Sequence, residues 1–170
     1  MLTLVGTDRP GIVARVTRAI FETGGSLGEA SMIRLGGNFT IMMMVATDGP
    51  WAELEAAVSA VAAELGLQFH RDPLDRGLHR HQVPNVQVRV TGADRAGIVA
   101  QVTGTLADAG FDILALESDV AGGAAHPIYI MNIQGYSDRT IESLRVAAAG
   151  LEQAGMGITV DIASLETLIG

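Results

Sequence analysis

The sequence predicts an α+β protein made of two similar units, each with the element order βαββαβ. The first observation is an internal repeat: the segment Gly6–Thr17 recurs 86 residues later as Gly92–Thr103, with nine of twelve positions identical. The second is that each copy lies between an apolar strand and an amphipathic helix. The third is that a glycine-containing hairpin, a second helix and a short last strand follow each copy. Such self-similarity indicates a duplicated domain.

The first unit opens with a predicted strand over Leu2–Val5 and a glycine-containing loop. Pro10 suits the first position of the helix that follows, because its missing N–H has no partner there, and Asp8 can hydrogen-bond the backbone donors just ahead of it. The glycine pair 24–25 ends this helix. Its predicted buried face consists of Ile12, Val13, Val16, Ala19 and Ile20.

A hairpin is predicted next, with strands over Ser26–Leu35 and Phe39–Ala46 joined by a tight turn at 36–38. The stretch Ile41–Val45 is apolar on both faces. This pattern predicts a central strand in a sheet that is covered, at least in part, on both sides. We expect Met42–Met44 to fill the core rather than to form an adaptable binding surface.

The first unit closes with a predicted helix over Trp51–Glu64 and a last short strand over Leu67–His70. The second unit repeats the order, and its hairpin turn, 121–127, is about three residues longer than its counterpart. This element order predicts the ferredoxin-like plan of four antiparallel strands with two helices on one face. The elements predicted for the second unit are Val86–Val90, Gly97–Ala109, Asp112–Val120, Ile128–Gln134, 138–152 and 158–162.

The predicted domains are 1–72 and 85–170, joined by a linker over 73–84 that lacks periodicity and contains two prolines. Units of this size are marginal alone, so we expect them to share an interface. The linker also contains His79 and His81. Two imidazoles without nearby cysteine supply too few ligands for a structural metal site, and we expect no metal.

Composition and charge exclude several classes of function. The net charge is −8 and every basic residue is arginine, whereas direct nucleic-acid binding normally rests on a basic surface. No apolar run is long enough to span a membrane, the first residues do not have the pattern of a signal peptide, and there are no cysteines. We therefore expect a soluble cytoplasmic protein that contacts neither membranes nor nucleic acid directly.

Catalysis finds no support in the sequence. No nucleophile elbow, zinc-protease helix, P-loop or dinucleotide fingerprint is present, and no pair of carboxylates has a stated reason to act as acid and base. The absence of lysine also removes Schiff-base chemistry. We therefore expect a protein that is not an enzyme and needs no cofactor.

The loop motif Gly-x-Asp-Arg-Pro-Gly-Ile-Val, followed by a helix and the hairpin Ile33–Met42, resembles the ACT domain. Two such units without a catalytic domain resemble the glycine cleavage system transcriptional repressor family. The resemblance implies a homodimeric regulator that senses a small amino acid such as glycine and acts through a protein partner, namely a DNA-binding activator. Two alternatives stay open: a regulatory subunit that docks on a metabolic enzyme, and an interaction scaffold whose loops bind nothing.

The resemblance also implies where the amino acid binds: between the loop after strand one and the start of strand two of a neighbouring unit. Glycine allows close backbone approach there, and the N–H groups at a helix start can hold a carboxylate. The implied loop residues are Asp8, Arg9, Pro10, Gly11 and Ile12, and Asp94, Arg95, Ala96, Gly97 and Ile98. The implied strand residues are Ser26 and Gly28, and Asp112 and Leu114.

Overall fold

The computed structural model describes residues 1–74, 82–122, 127–153 and 157–165. The chain forms two units, Met1–His79 and Arg80–Gly170. Across the described residues, each unit contains one four-stranded antiparallel sheet and two helices. No helix in these described ranges is both long enough and apolar enough to cross a membrane.

The first unit has the predicted element order. Its sheet is ordered β2-β3-β1-β4, so the methionine-rich strand β3 is central, as its apolar pattern predicts. The elements are β1 (Leu2–Thr7), α1 (Ile12–Glu22), β2 (Gly25–Leu35), β3 (Asn38–Thr47), α2 (Trp51–Leu65) and β4 (Gln68–Arg71).

The second unit repeats this arrangement with sheet order β6-β7-β5-β8, which confirms the ferredoxin-like plan for both copies. Its elements are β5 (Val86–Ala93), α3 (Ile98–Asp108), β6 (Asp112–Ala121), β7 (Ile128–Tyr136), α4 (Ile141–Gln153) and β8 (Ile158–Ser164).

The two hairpins differ in length at their tips. Leu35 pairs with Asn38, which leaves two residues in the first turn, whereas Ala121 pairs with Ile128, which leaves six residues, 122–127, in the second. The second connection is therefore four residues longer, not three as the sequence pattern suggested. Four of its residues, 123–126, lie outside the described part of the chain.

The core of the first unit lies between the sheet and its two helices. Alternate residues of the central strands are buried, including Leu4 on β1 and Met43 on β3, and they pack with buried residues of α1 and α2. Each fully buried aliphatic side chain contributes about 1.5–3 kcal/mol. The helix residues in this core are Ile12, Val16, Ala19, Ile20, Leu54, Val58, Ala62 and Leu65.

Two predictions about burial were wrong. Val13, assigned to the buried face of the first helix, is 40% exposed, because at helical spacing it lies at the edge of the stripe formed by Ile12, Val16, Ala19 and Ile20. Of the predicted core methionines only Met43 is fully buried; Met42 is 41% exposed because strand alternation turns it to the side away from the helices.

Candidate functional site

The loop between β1 and α1 ends in a left-handed glycine. Gly11 is the residue before the helix, with φ 89° and ψ −3°. Pro10 therefore lies outside the helix, and the prediction that it occupies the first helical position was wrong. No side chain of the described residues caps the helix start, so the predicted capping role of Asp8 was also wrong. The first N–H groups of α1 therefore have no side-chain acceptor.

Asp8 instead holds the loop to the tip of the hairpin. Its backbone N–H donates to the carbonyl of Gly37 at 3.0 Å. Its carboxylate pairs with Nη2 of Arg34 at 2.5 Å. The Asp8 side chain is 19% exposed and the Arg34 side chain 69%, so the pair presents a guanidinium rather than a carboxylate to solvent.

The two loop arginines occupy equivalent places in the two units. Nη2 of Arg9 is 3.8 Å from the position that a Cβ would take at Gly66, and Nη2 of Arg95 is 4.0 Å from the corresponding position at Gly157. Both glycines have left-handed backbone. Each guanidinium therefore lies beside the turn that precedes the last strand of its unit.

The second loop has the same backbone geometry as the first. Gly97 also has φ 89° and ψ −3°, and its carbonyl accepts the N–H of Gln101 just as the carbonyl of Gly11 accepts the N–H of Arg15. Replacing proline by Ala96 therefore leaves the helix start unchanged. The side chains around the two loops do differ. Val120 is the residue 86 positions after Arg34, so the second unit has no arginine at the position equivalent to that of Arg34, the partner of Asp8.

Two of the four predicted strand-two residues, Gly28 and Leu114, lie at a β-bulge. Gly28 and Glu29 together oppose Met44, and Leu114 is the extra residue between the pairs of Ile113 and Ala115. Bulges re-aim side chains and are common beside functional sites. Gly28 and Leu114, predicted as ligand residues, are thus the bulge positions themselves.

Ser26 and Asp112 precede these bulges, at the end of the sheet opposite to the loops. Thr7, just before the first loop, pairs with Asn38, whereas Ser26 pairs with Ala46. Eight residues of β3 separate these pairs, which is about 27 Å. The second unit has the same spacing. One unit by itself therefore does not bring the two predicted halves of the site together.

Sequence reasoning missed Arg34, although it lies within the hairpin that carried the family resemblance. Its signal was the two-glycine turn, because a short turn fixes the register and places Arg34 opposite Phe39, near the end of β1. No group of three or more metal-ligating side chains occurs among the residues that the structure describes. His79 and His81 lie outside those residues.

Family models match both units. One ACT-domain model matches residues 1–72 and a second matches residues 86–139. The chain is a tandem ACT-domain protein. This assignment confirms the resemblance drawn from the repeated loop motif, and the sheet order of each unit agrees with it.

Relatives match parts of this tandem ACT-domain protein. The UPF0237 protein YjhC of Lactococcus lactis is 35% identical over 71 residues, which is 41% of this chain and 82% of that protein. The glycine cleavage system transcriptional repressor of Escherichia coli is 29% identical over 109 residues, 61% of this chain and 55% of the repressor. The match thus spans about half of the repressor's length.

Two solved structures share the whole tandem architecture. An unknown protein from Galdieria sulphuraria superposes with a TM-score of 0.78 at 24% identity and covers 97% of this chain and 96% of its own. A putative glycine cleavage system transcriptional repressor superposes with a TM-score of 0.72 at 19% identity and covers 98% and 96%. At these identities the likeness concerns the fold.

Proposed function

We propose that this protein is a non-enzymatic, amino-acid-responsive regulator, and that it controls glycine cleavage genes by binding a protein partner rather than DNA. The observation that carries the proposal is the pair of ACT units in a chain related to the glycine cleavage system transcriptional repressor. The net charge of −8 favours a protein partner, such as a DNA-binding activator, over nucleic acid, because direct nucleic-acid binding normally rests on a basic surface.

The ligand is a small amino acid such as glycine, and its carboxylate binds at the start of α1. The uncapped N–H groups after Gly11 are suited to an anion. A Cβ built at Gly11 meets no atom within 4 Å, so the backbone at this point is open to a ligand. The bulged start of a second strand, from another ACT unit, supplies the opposite wall.

The first unit is the better carboxylate site of the two. An aspartate beside the helix start repels a carboxylate, but Arg34 neutralises Asp8 and leaves its own guanidinium exposed. In the second unit Val120 supplies no such charge near Asp94. The free amino acid is therefore expected to bind the first unit more tightly than the second. Its affinity for the first unit should fall as added salt screens the exposed ion pair.

A thermal-shift screen against the twenty amino acids tests this proposal. A ligand at about 100 times its dissociation constant adds about 2.7 kcal/mol of stability, which raises the melting temperature by several degrees. We expect Arg34→Gln to weaken binding by about tenfold, or about 1.4 kcal/mol. The control is Val120→Gln, at the equivalent position of the second unit, which is expected to leave first-unit binding intact. If no amino acid shifts the wild-type protein, amino-acid sensing is refuted.

The partner is tested separately, by capture on the immobilised full-length protein with and without the amino acid identified in the screen. Amino-acid-dependent recovery of a DNA-binding activator supports the proposal. Recovery of a metabolic enzyme instead assigns the protein as a regulatory subunit. Retardation of promoter DNA by the purified protein alone contradicts the claim that it acts without direct DNA contact.

A further inference from the structure

Three of the seven methionines lie next to one another on the face of the first sheet that carries no helices, which we call the open face. Leu2 and Met43 are buried under the helices, and successive residues of a strand face opposite sides of the sheet. Met1, Met42 and Met44 therefore lie on the open face. Met42 is 41% exposed, and Met1 and Met44 are half-buried, so solvent reaches all three.

The strand register brings these three side chains together. Leu2 pairs with Met43, so the next residues outward, Met1 and Met44, lie opposite each other. Directly opposite Cβ atoms are about 4.5–5.5 Å apart, and the diagonal neighbours Met1 and Met42 are about 7–8 Å apart. Met42 and Met44 are separated by about 7 Å along β3. Because methionine has three rotatable side-chain bonds, the three sulfur atoms can converge on one point.

Met1 is held in place by the chain that follows β4. Its ammonium group donates to the carbonyl of Asp72 at 2.6 Å, and the backbone N–H of Asp72 donates to the carbonyl of Met1 at 2.9 Å. Arg71 lies on the helix side, where it pairs with Glu55 of α2, so Asp72 and His70 face the open side. The Asp72 carboxylate is 3.0 Å from Nε2 of His70. A carboxylate beside Met1 favours a cation at this point.

The bulge of β2 leaves space beside Met44. Gly28 lies in this bulge, and a Cβ built on Gly28 would be 3.6 Å from the Cβ of Met44. Because glycine has no side chain, the Met44 thioether is not covered from that direction.

The second unit has the same register but no methionine at these positions. The residues 86 positions after the three methionines are Gln87, Asn132 and Gln134. Gln87 pairs with Gln134, and Arg89 pairs with Asn132. The second open face thus carries amides and a guanidinium where the first carries thioethers. The fold does not require methionine at these positions, so packing within a unit does not account for the three thioethers.

We propose that Met1, Met42 and Met44 form a binding site for a soft monovalent cation of the Cu(I) class. Thioethers are soft ligands that select Cu(I), whereas Mg²⁺ and Ca²⁺ prefer oxygen. Three neutral sulfur donors leave the single positive charge of the ion, which the nearby Asp72 carboxylate offsets. The chain has no cysteine, and its described residues include no group of three or more His, Asp or Glu that could hold a metal ion. No thiolate therefore competes for such a cation.

Silver(I) is a suitable probe, because it is a soft monovalent cation that stays in one oxidation state in air. The full-length protein is titrated with Ag(I) in ammonium acetate at pH 5, and the number of bound ions is read by native mass spectrometry. Histidine is mostly protonated at this pH and competes poorly, whereas a thioether carries no proton to lose. We expect one Ag(I) per chain, retained in an excess of Mg²⁺, and the same stoichiometry for Cu(I) under anaerobic conditions.

Leucine variants locate the site, because leucine keeps the approximate volume of methionine and removes the sulfur. Met42→Leu and Met44→Leu should each weaken Ag(I) binding by at least about tenfold, since losing even an outer partner of a metal ligand costs about 10–100-fold. The matched control is Met32→Leu, which should bind as the wild type does. Met32 is 50% exposed, but it pairs with Ile41 and so lies on the helix side of the edge strand.

Peroxide oxidation followed by peptide mass spectrometry tests the part of Met1 without mutation. Bound Ag(I) occupies the sulfur lone pairs, so it should slow the oxidation of Met1, Met42 and Met44 several-fold and leave that of Met32 unchanged.

Three outcomes overturn the inference: a wild type that binds no Ag(I) at pH 5; binding that is unchanged in both Met42→Leu and Met44→Leu; or an equal loss in Met32→Leu, which indicates scattered binding to exposed methionines. None of these measurements uses an amino acid or a protein partner, so this inference and the proposed regulatory function fail separately.

Discussion

Gly6 on β1 and Gly92 on β5 each lie close to the turn that precedes the last strand of their unit, and the approach is tighter in the second unit. A Cβ at Gly92 would lie 2.3 Å from the carbonyl oxygen of Gly157 and 2.7 Å from Cα of Ile158. At the equivalent Gly6 the nearest atom is Cδ2 of Leu67, at 2.8 Å, and the nearest backbone atom is the carbonyl oxygen of Gly66, at 3.1 Å. A side-chain end can rotate away, but a backbone carbonyl moves only with its strand. Gly92→Ala is therefore expected to cost much more stability than Gly6→Ala.

The magnitude follows from the contacts. Overpacking costs about 1–3 kcal/mol, and the displaced strand also weakens the hydrogen bond from the N–H of Ala93 to Gly157, which is 3.2 Å long and worth about 1 kcal/mol. We expect a loss of about 3 kcal/mol for Gly92→Ala and about 1 kcal/mol for Gly6→Ala. For a unit of this size the melting temperature then falls by about 12–24 °C and about 4–8 °C respectively.

Thermal unfolding followed by two signals measures both losses. Far-ultraviolet circular dichroism reports both units, whereas fluorescence reports the first, because Trp51 is the single tryptophan and packs against the core of that unit. Equal losses for Gly92→Ala and Gly6→Ala, or a Gly92→Ala melting temperature within a few degrees of the wild type, would refute the reasoning from backbone proximity.

Two further predictions concern stability and are read from urea unfolding curves. Gly135→Ala puts a Cβ 2.1 Å from the carbonyl oxygen of Asp112 and should lower the free energy of unfolding by about 3 kcal/mol. Gly104→Ala, on an open helix surface, should raise it by about 1 kcal/mol. Changes of the same sign for the two variants would contradict this contrast. Arg15→Ala removes an exposed ion pair with Glu64 and should change stability by less than about 0.5 kcal/mol, so a loss above 1 kcal/mol would show that the pair matters more than its exposure suggests.

The architecture was predictable because its signals are local. The repeated loop, the apolar periodicity and the glycines that end each helix all act within a few residues, and together they fix the order of elements. The central position of β3 in its sheet was also predictable, because its run of apolar residues leaves neither face of the strand polar. Strand and helix ends were correct to within about three residues, the ordinary scatter of such boundaries.

The details of the site depend on contacts between distant residues and were not predictable in the same way. Asp8 was an equally good cap for the helix, and only the register of β2 against β3 brings Arg34 close enough to take its carboxylate. Pro10 was compatible with the first helical position. That prediction was wrong because Gly11 has a left-handed backbone and the helix begins only after it.

The bulges of β2 and β6 also govern how each unit tolerates changes in chain length. Because successive residues of a strand face opposite sides, the extra residue keeps Ser26 and Ser31 on the same side of the sheet, and it does the same for Asp112 in the second unit. A deletion of one residue there would turn Ser26 or Asp112 towards the helices. The hairpin tips, by contrast, differ by four residues while the pairing of the strands is unchanged. The difference in length between the two copies is thus absorbed at the hairpin tip, whereas the stretch before each bulge has the same number of residues in both.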